Sequence, residues 1–191
     1  MTTRKVRVTK KRDVRIHAEL WHTANCLLRA GQQNKEGSAH QFRASLIFRA
    51  FCIEAFLNWL GLELIPHWNY LERLKPGEKL DLLADHIQVN PDYGSRPWQI
   101  VNELFRFRNT LAHGKPEDLE HESEEDLRDV LEGDVSFAQT DWECFCTESN
   151  AIRAKDDVEE LANILYQKAN VKHGGPRGPF TFGFQIRSST F

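Results

Sequence analysis

Apolar residues recur at helical spacing along most of this chain, and two early segments show the pattern well. The first covers about residues 14 to 30 and is expected to end at Gly31, because glycine often terminates a helix. The second is expected to begin at Ser38, since Gln41 three residues later would complete a capping box. The apolar stripe of the first helix consists of Leu20, Ala24, Leu27 and Leu28.

The second segment is apolar on almost every side between residues 46 and 60. A helix of this kind is usually buried at the centre of its domain. Its polar exceptions include Glu54 and Asn58, which are four residues apart and therefore share one face. The main apolar stripe consists of Leu46, Ala50, Ile53, Leu57 and Leu60.

The pattern of the remaining chain predicts more helices and no long strand. A short helix is expected around residues 80–87, and a last one at about residues 150–169. Between them, Ser95 is expected to cap a helix that has Pro97 in its first turn. The fold class that follows is all-α, a bundle of about five to six helices.

The two ends of the chain differ from this helical pattern. Residues 180–186, FTFGFQI, alternate in the manner of a β-strand, and so do residues 5–8, KVRV. The two segments can pair with each other, dock on a neighbouring chain or remain as frayed tails. We therefore divide the chain into three parts. Residues 1–13 form a basic arm, residues 14–170 form a helical domain, and residues 171–191 form a Gly/Phe-rich tail that allows a short strand.

Composition places the chain among soluble globular proteins. It has 191 residues, of which 40% are hydrophobic and 28% are charged, as is typical of a single domain. We expect a cytoplasmic protein without a membrane segment, because we see neither a long apolar run nor a secretory signal. Four cysteines suggest neither a disulfide scaffold nor a zinc site, so we expect no metal and no cofactor.

The charges are segregated although the net charge is only −3. Residues 1–15 contain seven basic residues and one acid, which can attract phosphates or can simply keep a terminus solvated. Residues 117–134 contain ten acids and one arginine. Overall acidity opposes tight binding of nucleic acid, whereas the basic arm favours it.

Polar residues of the types used in catalysis and ligand binding lie at the end of the helix that precedes the acidic segment. In the stretch FRFRNTLAHGKPE, residues 105–117, Asn109 and His113 are four residues apart and can point at one spot. Arg108 lies about 140° from His113 on an ideal helix, so the two meet only if the arginine side chain wraps around the helix or the last turn is distorted. Gly114 and Pro116 make such a distortion plausible. Arginine binds phosphate in a bidentate manner, and histidine titrates near neutral pH.

Spacing alone does not single out this pair, because Arg12 and His17 are also five residues apart. The context of Arg108 and His113 does single out this pair. It resembles the motif of the HEPN superfamily, in which an arginine and a polar residue precede a histidine near a helix end. The matching residues here are Arg108-Asn109-Thr110-Leu111-Ala112-His113. The helix AFCIEAFLNWL, residues 50–60, is similar to the earlier core helix of that family, with Glu54 in its acidic position. The resemblance covers roughly residues 14–170.

The resemblance implies a HEPN-like helical bundle and a metal-independent endoribonuclease of the toxin or defence type. Its active site would be composed from two chains of a homodimer. Arg108 would stabilise charge on the scissile phosphate, His113 would move a proton as the ribose 2′-hydroxyl attacks, and Asn109 would position the substrate. Glu54 would orient Arg108, or would be a salt-bridge partner within the chain without a role in catalysis. The partners implied are RNA and an antitoxin or another protein.

Two other classes of function remain open from the sequence. A non-catalytic HEPN-like module would use the same cleft to bind a nucleotide or RNA. An interaction protein would instead use the aromatic tail and the acidic segment to bind a partner. The presence of both Arg108 and His113 favours the nuclease, because a pure binding module needs no group that transfers protons.

Overall fold

The computed structural model describes residues 7–120, 122, 127–132, 137–170, 178–181 and 183–189 of the chain, which is mostly helical. A short 3-10 turn at Trp68–Tyr70 follows the second helix. The helices are α1 (Ile16–Gln33), α2 (Ser38–Leu64), α3 (Pro76–His86), α4 (Gln99–Ala112), α5 (Leu127–Glu132), α6 (Asp141–Phe145) and α7 (Glu148–Ala169). Two strands, β1 (Arg7–Asp13) and β2 (Gly183–Ser189), lie near the ends of the chain.

The helix α2 lies at the centre of the bundle and packs against α1, α3, α4 and α7. Its apolar stripe, predicted from the sequence, is fully buried, with Leu46, Leu57 and Leu60 completely inaccessible to solvent. By length and composition, α2 is the one helix among the described residues that could cross a membrane. More than half of that apolar stretch is buried against the protein itself, which is the environment of a core helix in a soluble protein.

The predicted end of the first helix at Gly31 is wrong, because α1 continues through this residue to Gln33. Gly31 is buried at the crossing of α1 and α2. A Cβ atom at this position would lie 2.6 Å from Cε1 of Phe42. The glycine therefore permits close packing of two helices rather than terminating one of them.

The predicted start of α2 at Ser38 is confirmed, but the side-chain caps predicted for α2 and α4 are wrong. The N-cap of α2 is Gly37, which has a positive φ of 71°, and no side chain caps the helix, so Ser38 is already helical. The helix α4 begins at Gln99, beyond Pro97. Ser95 contributes to the start of α4 only through its backbone carbonyl, which accepts a hydrogen bond from the Gln99 N–H at 2.9 Å. In both cases, backbone groups replace the side-chain caps that the sequence suggested.

The strands β1 and β2 pair in antiparallel register, with Arg7 opposite Ser189 and Asp13 opposite Gly183. Of the arrangements left open by the sequence, the protein therefore adopts pairing between the two ends of one chain. The strands lie at residues 7–13 and 183–189, a few residues beyond the predicted segments 5–8 and 180–186. This places the basic segment directly before α1 within a small sheet.

The segment 178–181, just before β2, docks on an aromatic cluster of α1 and α2. The ring of Phe180 stacks on Trp21, with centroids 4.3 Å apart and planes 7° from parallel. His17 donates a hydrogen bond from Nε2 to the carbonyl of Pro179 at 3.0 Å. These contacts attach the C-terminal part of the chain to the start of the helical domain.

His17 itself is buried between aromatic rings, 5.0 Å from Trp59 and 5.6 Å from Phe56 between centroids. Burial, reinforced by the charge of Arg15, lowers its pKa to about 4, although the Pro179 carbonyl opposes this shift. The imidazole is therefore neutral near pH 7. His17, which shares the Arg-to-His spacing of the candidate motif, has a structural place in the core.

We expect Gly61→Ala to destabilise the fold, because a Cβ atom at Gly61 would lie 2.1 Å from the indole of Trp68. Overpacking of this kind typically costs about 1–3 kcal/mol. The matched control is Gly77→Ala in α3, where a Cβ atom would meet nothing within 4 Å. Urea unfolding of both variants tests the packing: a Gly61→Ala protein as stable as the wild type would show that α2 and Trp68 are not in this contact.

We also expect part of the acid sensitivity of the fold to come from His17. Its folded-state pKa lies below the ordinary value of 6.5, so the unfolded chain binds the proton first as pH falls. The stability that His17 contributes is complete above about pH 6.5 and is lost as pH falls towards about 4.

His17→Gln retains a hydrogen-bond donor and does not titrate. Between about pH 7 and pH 4.5, the wild type should lose about 2 kcal/mol more stability than this variant. His86→Gln, at an exposed position, should follow the wild type. Equal losses in all three proteins, measured by urea unfolding at each pH, would contradict a buried neutral His17.

Candidate functional site

The carboxylate of Glu54 on α2 binds two cations from neighbouring helices. Arg108 on α4 donates from Nη2 to Glu54 Oε2 at 2.9 Å. Lys79 on α3 brings its Nζ to 3.7 Å from Glu54 Oε1. Three helices therefore meet at one carboxylate. Glu54 lies beside Arg108, which is the position that a role in orienting Arg108 requires.

Arg108 lies in a strip of α4 that turns towards α2, and only 22% of its side chain is exposed. Its guanidinium carbon lies 5.3 Å from the ring centroid of Phe105 and 6.0 Å from that of Phe51. The Nε atom is buried and has no hydrogen-bond partner in the described part of the chain. A guanidinium in such surroundings needs a counter-charge, which Glu54 supplies.

Asn109 and His113 are both exposed and point away from this cluster. His113 is the C-cap of α4, and its N–H still donates to the carbonyl of Asn109 at 3.0 Å. Among the described residues, no hydrogen bond or ion pair joins the His113 side chain to Arg108 or to Asn109. The helix end therefore does not bring Arg108 and His113 into contact within one chain.

A partly apolar surface of α2 adjoins the Arg108 cluster. We call it the α2 strip, formed by Phe48, Phe51 and Leu62. Phe51 is 40% exposed and Leu62 is 56% exposed, while the ring of Phe48 meets that of Phe51 edge to face at 6.3 Å. Large exposed apolar side chains beside an anchored arginine are typical of a surface that contacts another molecule.

Lys79 is the member of the cluster that sequence reasoning missed. Its side chain is 2% exposed, although it lies in the first turns of a short helix where a lysine normally faces solvent. No local pattern marks it, because its burial results from the approach of α3 to Glu54. A lysine among Leu80 and Leu83 gives no signal until the helices are assembled.

Metal-binding groups are not evident at this site. Within the described ranges, no group of three His, Cys, Asp or Glu side chains could hold a metal ion. Of the cysteine pair near α6, Cys144 is exposed, whereas Cys146 is buried and donates from Sγ to the carbonyl of Trp142 at 3.1 Å.

No protein-family model, no curated protein and no solved structure matches this chain. None of these comparisons bears on the resemblance to the HEPN superfamily, which stays a prediction from the sequence. The contact between Glu54 and Arg108 is the structural feature on which a functional hypothesis can build.

We expect Glu54→Gln to destabilise the fold through Lys79, whose buried ammonium would lose its counter-charge. Removing one partner of a partly buried ion pair should cost about 1–3 kcal/mol here, less than for a fully buried pair. Glu72→Gln, at an exposed position, is the matched control. In a Lys79→Met background, the cost of Glu54→Gln should shrink, as a double-mutant cycle by urea unfolding would measure. Strict additivity of the two substitutions would show that Glu54 and Lys79 do not interact.

Proposed function

We propose that this protein is a metal-independent endoribonuclease of the HEPN type, with an active site composed from two chains. The observation that carries the proposal is the anchoring of Arg108 by Glu54 at the edge of an exposed apolar strip. An arginine fixed in this way can present its remaining N–H groups in a constant direction. A fixed arginine is suited to a phosphate whose charge increases in the transition state.

The charge balance of the cluster supports an anionic ligand. One carboxylate, Glu54, faces two cations, Arg108 and Lys79, so the three groups together carry one net positive charge. Lys79 is almost fully buried, which leaves Arg108 as the cation that a ligand can reach. A phosphate bound there would complete the neutralisation without displacing Glu54.

The chemistry proposed for this site is an internal transesterification. The ribose 2′-hydroxyl gives up its proton as its oxygen attacks phosphorus, the bond from phosphorus to the 5′-oxygen breaks, and the leaving oxygen takes up a proton. The products are a 2′,3′-cyclic phosphate and a 5′-hydroxyl end. His113 transfers a proton in this reaction, Arg108 stabilises the charge on the phosphate oxygens, and Asn109 positions the substrate.

A second copy of the chain would overcome the separation of Arg108 and His113 on α4. In a homodimer packed through the α2 strip, the two α4 helices would bring an Arg108 and a His113 from each chain to one cleft. Burial of Phe51 and Leu62 would favour such an association. A nuclease of this kind would act in the cytoplasm as a toxin or defence effector and would be controlled by an antitoxin or another protein partner.

Cleavage of single-stranded RNA in the presence of EDTA tests the proposal. The wild-type protein should produce 2′,3′-cyclic phosphate ends, detected by mass spectrometry of the fragments. His113→Ala should reduce the rate by at least about a hundredfold, because acid–base catalysis typically contributes that much. Arg108→Ala should cause a loss of similar size, since it removes the charge stabilisation at the phosphate.

The matched controls are His86→Ala and Arg29→Ala, which change exposed residues outside the cluster. Both should cleave RNA like the wild type, and circular dichroism should show that all four variants are folded. Unchanged cleavage by Arg108→Ala and His113→Ala would refute the assignment. RNA binding that depends on Arg108, without any cleavage, would identify the non-catalytic module instead.

A further inference from the structure

A pocket of about 450 Å³ lies on the outer side of α4, away from the Glu54 cluster. It is enclosed by α4, by the segment that carries Glu117 and Leu119, and by residues 139–145 around α6. The volume exceeds what a single planar heterocycle occupies. No residue assigned to the proposed catalytic step lines this pocket, so it represents a separate feature of the surface.

Aromatic side chains form the inner wall of the pocket. The rings of Phe107 and Phe145 are 5.1 Å apart between centroids and are inclined by 52°. Trp142 is half-buried beside them, and the guanidinium of Arg43 lies 4.6 Å from the centroid of its ring. Such a wall suits a flat, conjugated ligand that can stack on it.

The rim of the pocket carries both hydrogen-bond acceptors and a donor. Glu117 and Asp141 are exposed carboxylates, and Arg106 is an exposed guanidinium. In the part of the chain that the structure describes, no hydrogen bond or ion pair engages any of these three side chains. Glu103, also at the rim, is bound instead to Arg153 of α7. Three charged groups are therefore available to a ligand.

This combination selects among classes of ligand. A simple organic cation would match the carboxylates but would be repelled by Arg106. A free phosphate would match Arg106 but would be repelled by Glu117 and Asp141. A neutral ring with adjacent N–H donors on one edge and acceptors on the other matches all three groups, and guanine has this arrangement. Arginine typically binds its O6 and N7, and a carboxylate can accept from its N1–H and N2–H groups.

We propose that this pocket binds a guanine base, and that it selects guanine in the RNA substrate. The second half of this proposal rests on the proposed ribonuclease function. On an ideal helix, Arg106 and His113 differ by about 20° in direction and by roughly 10 Å along the axis. A base held at Arg106 would therefore belong to a strand that passes His113, on the same exposed side of α4.

Binding of free guanosine tests the pocket without any RNA cleavage. Titration calorimetry of the wild-type protein should show binding of guanosine at least tenfold tighter than that of adenosine, cytidine or uridine. Arg106→Gln and Asp141→Asn should each weaken guanosine binding by about tenfold or more, as expected for one lost pair of base contacts. Binding without preference for guanosine, or no binding, would overturn the proposal.

The control variants are Arg29→Gln and Asp156→Asn, which alter charged groups of α1 and α7 outside the pocket. Both should bind guanosine like the wild type, and equal weakening by them would overturn the assignment to this pocket. His113→Ala should also retain guanosine binding.

Cleavage of RNAs that differ by one guanosine separates the two proposals. A wild-type preference for the guanosine-containing RNA that disappears in Arg106→Gln, whatever the overall rate of cleavage, supports substrate selection. Cleavage without any such preference refutes substrate selection while the nuclease assignment stands. Guanosine binding in a protein that cleaves no RNA refutes the nuclease assignment and substrate selection while the pocket assignment stands.

Discussion

The burial of α2 is the constraint on which the rest of this structure depends. Apolar side chains point from this helix in nearly every direction, and α1, α3, α4 and α7 surround it because no single neighbour could cover them. Full burial of one leucine or isoleucine is worth about 1.5–3 kcal/mol. Residues such as Leu46, Ile53, Leu57 and Leu60 therefore supply much of the driving force that offsets the conformational entropy of folding.

A central helix imposes a second requirement, because a charged or polar side chain buried on it is costly unless neighbouring helices supply a partner. Ser45 donates to the carbonyl of Ala24 at 2.9 Å, and Arg49 donates to Asn25 at 2.8 Å. Burial of Arg49 lowers its pKa to about 10, while the ring of Trp21 lies 4.7 Å from its guanidinium carbon. Glu54 is subject to the same requirement, which is met by Arg108 and Lys79.

The helix α4 separates two chemical environments. Its inner side holds Arg108 against Glu54 and the apolar core, whereas its outer side exposes Asn109, His113 and the pocket at Arg106. A straight helix cannot bring the two sides together, since its backbone hydrogen bonds continue to His113. Among the described residues, Arg108 and His113 of one chain make no contact, and the proposed homodimer would bring copies of both to one phosphate.

Short sequence patterns were sufficient to predict those features of the fold that depend on interactions between neighbouring residues. Periodicity identified the helical class and the central position of α2, because those properties follow from which side chains avoid water. Capping and glycine signals misled, since Gly31 is required by the ring of Phe42 on another helix, and the N-cap of α2 is Gly37 without any side-chain cap. The sequence could not distinguish His17 from His113 by spacing, because burial distinguishes them.

The sequence by itself therefore determined the helical class and the apolar stripe of the central helix. Only the tertiary structure decided which polar groups meet. Glu54 is separated from Arg108 by more than fifty residues, and Lys79 gives no local signal at all. Contacts of this kind depend on how three helices pack around one carboxylate, and this packing is set by the summed burial of the core rather than by any segment of the chain.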